Sequence, residues 1–297
     1  MTEHKQIQPA RQVPARREFA KLSCYALVAY MILWGLMYTP FYPTVVLHPD
    51  SKDSELYKLE KIQDAPREEL FIDSHGDKMH AWLFRKPHSH ILVIVHHGNA
   101  GNILNRVFLA KAFIQAGASV LLYDYRGFGK SSGKQSLNGI AEDGIVAFDY
   151  AKNNFKYPVL INYGESIGSG VACIVDSQRK ADALVLQSGI ESLPHVAKDG
   201  IMVFKLYPDN MWPQPQFDNG ALLAQSHTPL LILHGEKDTM VPWKHSQHLF
   251  DVAAARDKAF IKLPKCGHND VGFFDADLFQ KSITDFVAQH PKQLDAK

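Results

Sequence analysis

Pro158-Val159-Leu160-Ile161-Asn162-Tyr163-Gly164-Glu165-Ser166-Ile167-Gly168-Ser169-Gly170 is the stretch on which the reading of the fold turns. Its first half is apolar, as a strand buried on both faces is. Its second half opens an apolar helical pattern that runs to Arg179. Between them stands Gly164-x-Ser166-x-Gly168, where strand must turn into helix within a few residues. Such a turn holds a serine in a strained backbone conformation with its hydroxyl exposed above the sheet. Side chains at 164 and 168 are expected to collide across the turn, and Gly170 is expected to let the helix pack closely on the strand. The plain alternative is a glycine-rich turn that happens to contain serine. Partners for the serine elsewhere in the chain decide between the two.

Outward from this stretch, short apolar runs alternate with longer amphipathic ones. Strands are expected at Glu69–Asp73, Met79–Arg85, Ile91–His96, Ser119–Tyr123, Pro158–Tyr163, Ala183–Gln187, Leu230–Leu233 and Ala259–Leu263, the first two joined as an antiparallel hairpin by Ser74-His75-Gly76-Asp77. Helices are expected at Ile103–Ala116, Gly139–Asn153, Ile167–Arg179, His245–Ala255 and Asp275–Gln289. This alternation predicts an α/β fold, a mostly parallel eight-stranded sheet with helices on both faces. The interval of about 189–228 breaks the rhythm with prolines and aromatics, and reads as a small helical lid insertion.

A serine hydroxyl needs a base, and the base an orienting acid. Leu230–Leu233 leads into His234-Gly235-Glu236-Lys237-Asp238, and Ala259–Leu263 leads into Pro264-Lys265-Cys266-Gly267-His268-Asn269-Asp270. Asp238 and His268 thus fall in loops at strand carboxyl ends, where reactive groups collect in parallel sheets. Glu236 and Asp270 are competing acids; Asp124 precedes the serine and reads as structural. The loop His97-Gly98-Asn99-Ala100-Gly101-Asn102 follows the strand Ile91–His96. Its small residues can aim a backbone N–H at a developing oxyanion beside that of Ile167, with Asn99 the first choice and Ala100 the second. The spacing fits neither common phosphate-cradling motif. His97 reads as a residue that fixes the loop.

These motifs, with Leu122-Tyr123-Asp124-Tyr125-Arg126-Gly127-Phe128-Gly129-Lys130-Ser131-Ser132-Gly133, resemble the α/β-hydrolase superfamily over about Glu69–Gln289. The branch is similar to the fission-yeast bud-emergence homologues and the depalmitoylating α/β-hydrolase-domain proteins. The resemblance implies Ser166 as nucleophile, Asp238 as acid, His268 as base and acyl transfer on an ester or thioester through an acyl-enzyme. It implies no cofactor or metal. The chain lacks the cysteine-rich N-terminus of the depalmitoylating members, so their protein substrates do not carry over. Phe204, Met211 and Trp212, with Met202, Val203 and Leu206, are candidates for an apolar acyl pocket under the lid; the alternative is that they bury the insertion against the domain. A peptidase of the prolyl-aminopeptidase kind and a non-catalytic, membrane-anchored scaffold are the other functional classes.

Ahead of the domain, Leu22–Leu47 carries no charged residue. Residues 22–42 suffice to cross a hydrocarbon core of about 30 Å, with Pro40 and Pro43 expected to end the helix. A cleaved signal peptide would need small residues after a shorter apolar core, and none follow Tyr38; a buried core helix is the remaining alternative. Lys5, Arg11, Arg16, Arg17 and Lys21 outweigh Glu3 and Glu18 before this segment. That bias places the N-terminus in the cytoplasm and the hydrolase domain across the membrane, although Lys52, Lys58 and Lys61 weaken it. The expected organisation is a basic tail (1–21), a single-pass transmembrane anchor (22–42), a linker (43–67) and a hydrolase domain (68–297). The 297-residue chain is 46% hydrophobic and 21% charged, ample for a packed core. A net charge of +1 argues against nucleic acid as a partner. The expected partners are a small-molecule ester or acyl substrate and the membrane, with no obligate protein partner. Cys24, Cys173 and Cys266 are too scattered for a disulfide framework or a zinc site.

Overall fold

The computed structural model describes residues 15–50 and 65–289. Most of the expected basic tail, linker residues 51–64 and the last eight residues lie outside the described residues. Two compact units divide at Tyr42 and Pro43.

The first unit is built on helix α1 (Ala15–Met37). Its segment Phe19–Met37 is long and apolar enough to cross a membrane. The helix differs from the expected span at its end, since it stops before either proline. The N–H groups of Tyr38 and Thr39 bond back to Gly35 and Leu36, tightening the last turn. Pro43 ends nothing: it lies in the first turn of a short helix α2 (Phe41–Val46), where its missing N–H is not needed.

The second unit follows the α/β rhythm. In chain order come strands β1 (His48–Pro49), β2 (Arg67–Ser74), β3 (Asp77–Phe84), β4 (Ile91–His96) and β5 (Ala100–Gly101), then helix α3 (Val107–Gln115). There follow β6 (Ser119–Tyr123), α4 (Leu137–Asn154), β7 (Val159–Glu165), α5 (Ile167–Arg179), β8 (Ala183–Gln187), α6 (Leu193–Gly200) and α7 (Asn219–Leu223). The chain closes with β9 (Leu230–Gly235), α8 (Lys244–Val252), β10 (Lys258–Leu263) and α9 (Ala276–Gln289). The main sheet has eight strands in the order β10-β9-β8-β7-β4-β6-β3-β2. Its strands are parallel from β6 to β10, and the hairpin β2–β3 joins antiparallel to β6.

Every residue of β4, β6, β7, β8 and β9 is buried, because helices cover both faces. On one face Val93, Val95, Ile161 and Leu233 pack with Phe113 of α3 and Ile283 and Phe286 of α9. On the other, Leu184, Leu186 and Ile232 meet Ala172 of α5 and Leu249 of α8. β10 is one of the two sheet edges and carries Lys258 and Lys262, charges that discourage further strand pairing.

The structure departs from the expected elements at two places around the loop after β4. The helix expected from Ile103 begins instead as a 3-10 turn, Ile103–Arg106, with Asn102 and Asn105 exchanging capping bonds. In addition, His48 and Pro49, expected in a linker, pair in parallel with Ala100 and Gly101 as a small two-stranded sheet.

Candidate active site

Strand β7 ends at Glu165 and α5 begins at Ile167, so Ser166 alone makes the turn. Its backbone sits at φ 54° and ψ −120°, a region that costs a non-glycine residue on the order of 1–3 kcal/mol. The cost is borne because the surroundings over-determine the turn. The Ser166 N–H donates to the Gln187 carbonyl at 2.9 Å, and the Ser169 hydroxyl donates to the Ser166 carbonyl at 2.5 Å. A Cβ on Gly164 would lie 2.6 Å from the Ser169 Cα, and one on Gly168 would overlap the His96 and His97 carbonyl oxygens. Both flanking glycines are therefore required by close backbone approach. Gly170 has a different reason from the expected one: a Cβ there would strike the Phe217 ring, not the strand.

The serine has its partners. The Ser166 Oγ lies 3.1 Å from His268 Nε2, and His268 Nδ1 lies 2.6 Å from Asp238 Oδ2. Three separate loops, after β7, β9 and β10, supply these side chains at the carboxyl ends of parallel strands on one side of the sheet, with β8 between β7 and β9. Asp238 is held from several sides. Its Oδ1 accepts the N–H groups of Met240 and Val241 at 2.9 and 2.8 Å, and His234 Nε2 stands 3.2 Å from Oδ2. Burial works to raise this carboxyl, but the hydrogen bonds of His234 and His268 and the His268 charge overcome it, leaving Asp238 well below the usual carboxylate range. The competing acids are otherwise occupied: Glu236 is exposed, and Asp270 Oδ1 accepts the Gly267 N–H at 2.7 Å within its own turn. Asp124 is fully buried against Ile103, whose N–H donates to it at 2.8 Å, and burial pushes its carboxyl up.

The loop after β4 packs on the first turn of α5, as the Gly168 contact with His96 and His97 requires. Ile167 is the first residue of that helix, so its N–H has no acceptor within the helix. Asn99 stands in the facing loop. Its carboxamide donates to the Val46 carbonyl at 2.9 Å, and its own carbonyl accepts the His48 N–H at 2.7 Å. His97 is buried, with Nδ1 2.8 Å from the Gly98 carbonyl, and burial brings its ring down to about 3, so it is neutral at pH 7.

The structure also brings in residues that the sequence reading passed over. Arg106 pairs with Glu165, the residue before the serine, at 2.9 and 3.1 Å, and donates to the Ala100 carbonyl at 2.8 Å. This buried pair links the elbow to the facing loop. Burial tends to raise the Glu165 carboxyl, and the Arg106 charge and hydrogen bonds more than offset it. His234 is locked by Ser246 at 2.6 Å and the Val241 carbonyl at 2.8 Å, which fixes the ring that faces Asp238. Asn219 ties the insertion shut at its base: its carboxamide donates to Ser169 Oγ at 3.1 Å and to the Ile190 carbonyl at 2.8 Å. No periodicity announces such pairs, which join residues far apart in sequence.

Within the insertion, Trp212 is buried and stacks edge-on with Phe204, whose ring also meets Tyr207. That packing accounts for Phe204 and Trp212 as a small core of the insertion itself. Met211 is half-buried beside them. The apolar side chains that stand out to solvent are Ile201, Met202, Val203 and Leu206, with Met202 82% exposed.

A doubly wound sheet with a serine elbow, a histidine and a buried aspartate at its carboxyl edge defines an α/β-hydrolase. The model of a family described as "Serine aminopeptidase, S33" matches residues 87–224, a span that holds Ser166 but neither Asp238 nor His268. Protein bem46 of Schizosaccharomyces pombe is 28% identical over 282 residues, covering 89% of this chain and 90% of that one. The lysophosphatidylserine lipase ABHD12 of Danio rerio is 32% identical over 183 residues, 56% of this chain and 48% of the relative. Among solved structures, an esterase of Pyrococcus furiosus superposes with a TM-score of 0.67 at 18% identity, over 82% of this chain and 98% of that one. The chain belongs to the α/β-hydrolase superfamily and is a serine hydrolase related to the bem46 and ABHD proteins.

Proposed function

We propose that the protein is a membrane-anchored esterase that cleaves acyl esters or thioesters through Ser166, His268 and Asp238. The observation that carries this reading is the continuous hydrogen-bonded line from Ser166 Oγ through His268 to Asp238 Oδ2, at 3.1 and 2.6 Å. In the reaction, His268 Nε2 takes the Ser166 proton as Oγ attacks the acyl carbonyl. The oxyanion is met by the N–H groups of Ile167 and Asn99. Asp238 holds the imidazole in the tautomer that carries hydrogen on Nδ1 and stabilises the imidazolium. His268 then gives its proton to the departing alkoxide or thiolate, leaving the acyl group on Ser166. Water attacks that ester, His268 accepts its proton, and the acid departs as Ser166 regains hydrogen.

Three observations support a lipid or other acylated substrate. The insertion exposes Ile201, Met202, Val203 and Leu206 together; α1 includes a segment apolar enough to span a bilayer; and a relative bears the name of a lysophospholipid lipase. Under the positive-inside rule the basic tail stays in the cytoplasm and the hydrolase domain lies on the other side.

The test is a kcat/KM series on p-nitrophenyl esters from acetyl to dodecanoyl, with matching thioesters and an aminoacyl amide. Rates rising with acyl length are expected. Activity on acetyl esters with none on longer chains would overturn the lipid assignment. Cleavage of the amide but not the esters would favour the peptidase class that the family description names.

A further inference from the structure

The loop that faces the elbow is held on its inner side by Arg106 and on its outer side by residues ahead of the sheet. Leu47 is buried and anchors this outer segment. From it, the His48 N–H donates to the Asn99 carbonyl at 2.7 Å, and the Val46 carbonyl accepts the Asn99 carboxamide at 2.9 Å. The Asp50 N–H donates to the Gly101 carbonyl at 3.2 Å, while the Asp50 carbonyl accepts Asn102 Nδ2 at 3.1 Å and the Gly129 N–H at 3.1 Å. His48 and Pro49 run in parallel register with Ala100 and Gly101. Asn99 is the centre of this lacing: its side chain and carbonyl are both committed to the segment, and its backbone N–H is the polar group these contacts do not use.

We infer that Val46–Asp50 is a positioning strap for the oxyanion hole, which holds Asn99 by its side chain and its carbonyl so that the N–H of the same residue meets the developing oxyanion. The inference rests on the esterase reading above. The physical reason is that an oxyanion donor works only if it is aimed beforehand at where charge will appear. A six-residue loop rich in glycine and asparagine cannot hold one peptide plane by itself, because glycine adds backbone freedom rather than removing it. Gly101 sits at φ 79°, so the loop depends on outside contacts for its shape. The Arg106–Ala100 bond fixes the peptide after Ala100, His97 Nδ1 stands 2.8 Å from the carbonyl of the Gly98–Asn99 peptide that carries the Asn99 N–H, and the strap holds the Asn99 side chain and carbonyl. The strap begins at Val46, the last residue of α2, a few residues beyond the apolar helix α1 in the sequence, so the residues that aim the donor are those that leave the anchor.

The test uses full-length protein in detergent or vesicles and two changes that spare the catalytic side chains. Asn99→Asp keeps the shape but cannot donate to the Val46 carbonyl; His48→Pro removes the N–H that reaches Asn99. Sites are counted by complete fluorophosphonate labelling, and kcat is expressed per labelled site, so that a loss of folded protein does not enter the rate. The expected result is a fall in kcat of about 10- to 100-fold, below the ~10²–10³-fold cost of losing an oxyanion donor outright. KM should stay within about twofold, and affinity for a tetrahedral boronic acid should fall in parallel with kcat/KM. A kcat per site within twofold of wild type for both variants, or a change confined to KM, overturns the strap while leaving the esterase reading intact. If Ser166→Ala retains wild-type rates in the same assay, the esterase reading fails instead.

Discussion

The elbow and the insertion of residues 189–228 are built on opposite principles, although they meet at Ser169 and Gly170. At the elbow the N–H, carbonyl and hydroxyl of Ser166 each have a partner, and the backbone approaches so closely that glycine is mandatory at 164 and 168. The insertion is a chain of short turns pinned at its base by Asn219, closed around Trp212, and exposing Ile201, Met202, Val203 and Leu206 on its outside. A reaction centre needs geometry fixed to fractions of an ångström, since misplacement of reacting groups by about 1 Å can cost two orders of magnitude in rate. A cover that admits substrate needs surface chemistry more than exact position. Errors in the two regions should therefore differ in kind as well as size.

The largest effect is expected at Asp238. Asp238→Asn keeps the shape but cannot hold His268 in the required tautomer, so kcat should fall on the order of 10⁴-fold with the fold preserved; a near-wild-type rate would move the acid role to Glu236 or Asp270. The same variant has a stability signature. The native Asp238 carboxyl lies below its unfolded value of about 4, so its contribution is complete above that pH and is lost as pH falls toward the native value. The difference in melting temperature between wild type and Asp238→Asn should accordingly be widest near neutrality and shrink below about pH 4. A gap that widens in acid would contradict the hydrogen-bonded carboxylate described for this loop.

Gly168→Ala should act through the backbone. Its Cβ has nowhere to go but into the His96 and His97 carbonyls, and a destabilisation of about 3 kcal/mol or more is expected. In a domain of this size that lowers the melting temperature by roughly 6–12 °C. An unchanged melting temperature would mean that the first turn of α5 yields more easily than its packing indicates. The insertion should behave in the contrary way. Met202→Ser, at a fully solvent-facing position, should leave stability within about 0.5 kcal/mol. It should raise KM a few-fold for long-chain esters and leave acetyl esters alone. Equal losses at all chain lengths would show that the exposed face does not read the acyl chain.

What the sequence reveals follows the same division. Strands β4, β6 and β8 have the expected limits because an apolar run bounded by polar residues is a local signal. The grouping of Ser166, Asp238 and His268 was legible because each lies in the turn or loop that follows such a strand, where parallel sheets gather reactive groups. Arg106 and Glu165 were not, since a buried ion pair joins residues 59 apart and leaves no pattern in either neighbourhood. Val46–Asp50 was hidden for another reason: only Leu47 in it is buried, and its structure comes from backbone bonds that any sequence could supply. Phe204 and Trp212 carry the composition of a binding pocket, but composition does not distinguish rings that face a ligand from rings that face each other. Pro43 looked like a stop signal because its position within a helical turn cannot be read from proline alone.

The most direct test falls on one oxygen atom, Ser166 Oγ. Folded wild-type protein treated with a fluorophosphonate should gain a single adduct, mapped by peptide mass spectrometry to the peptide bearing Ser166, while Ser166→Ala gains none and loses esterase activity by several orders of magnitude. An unlabelled wild type, or an adduct that survives in Ser166→Ala with activity intact, would contradict the account.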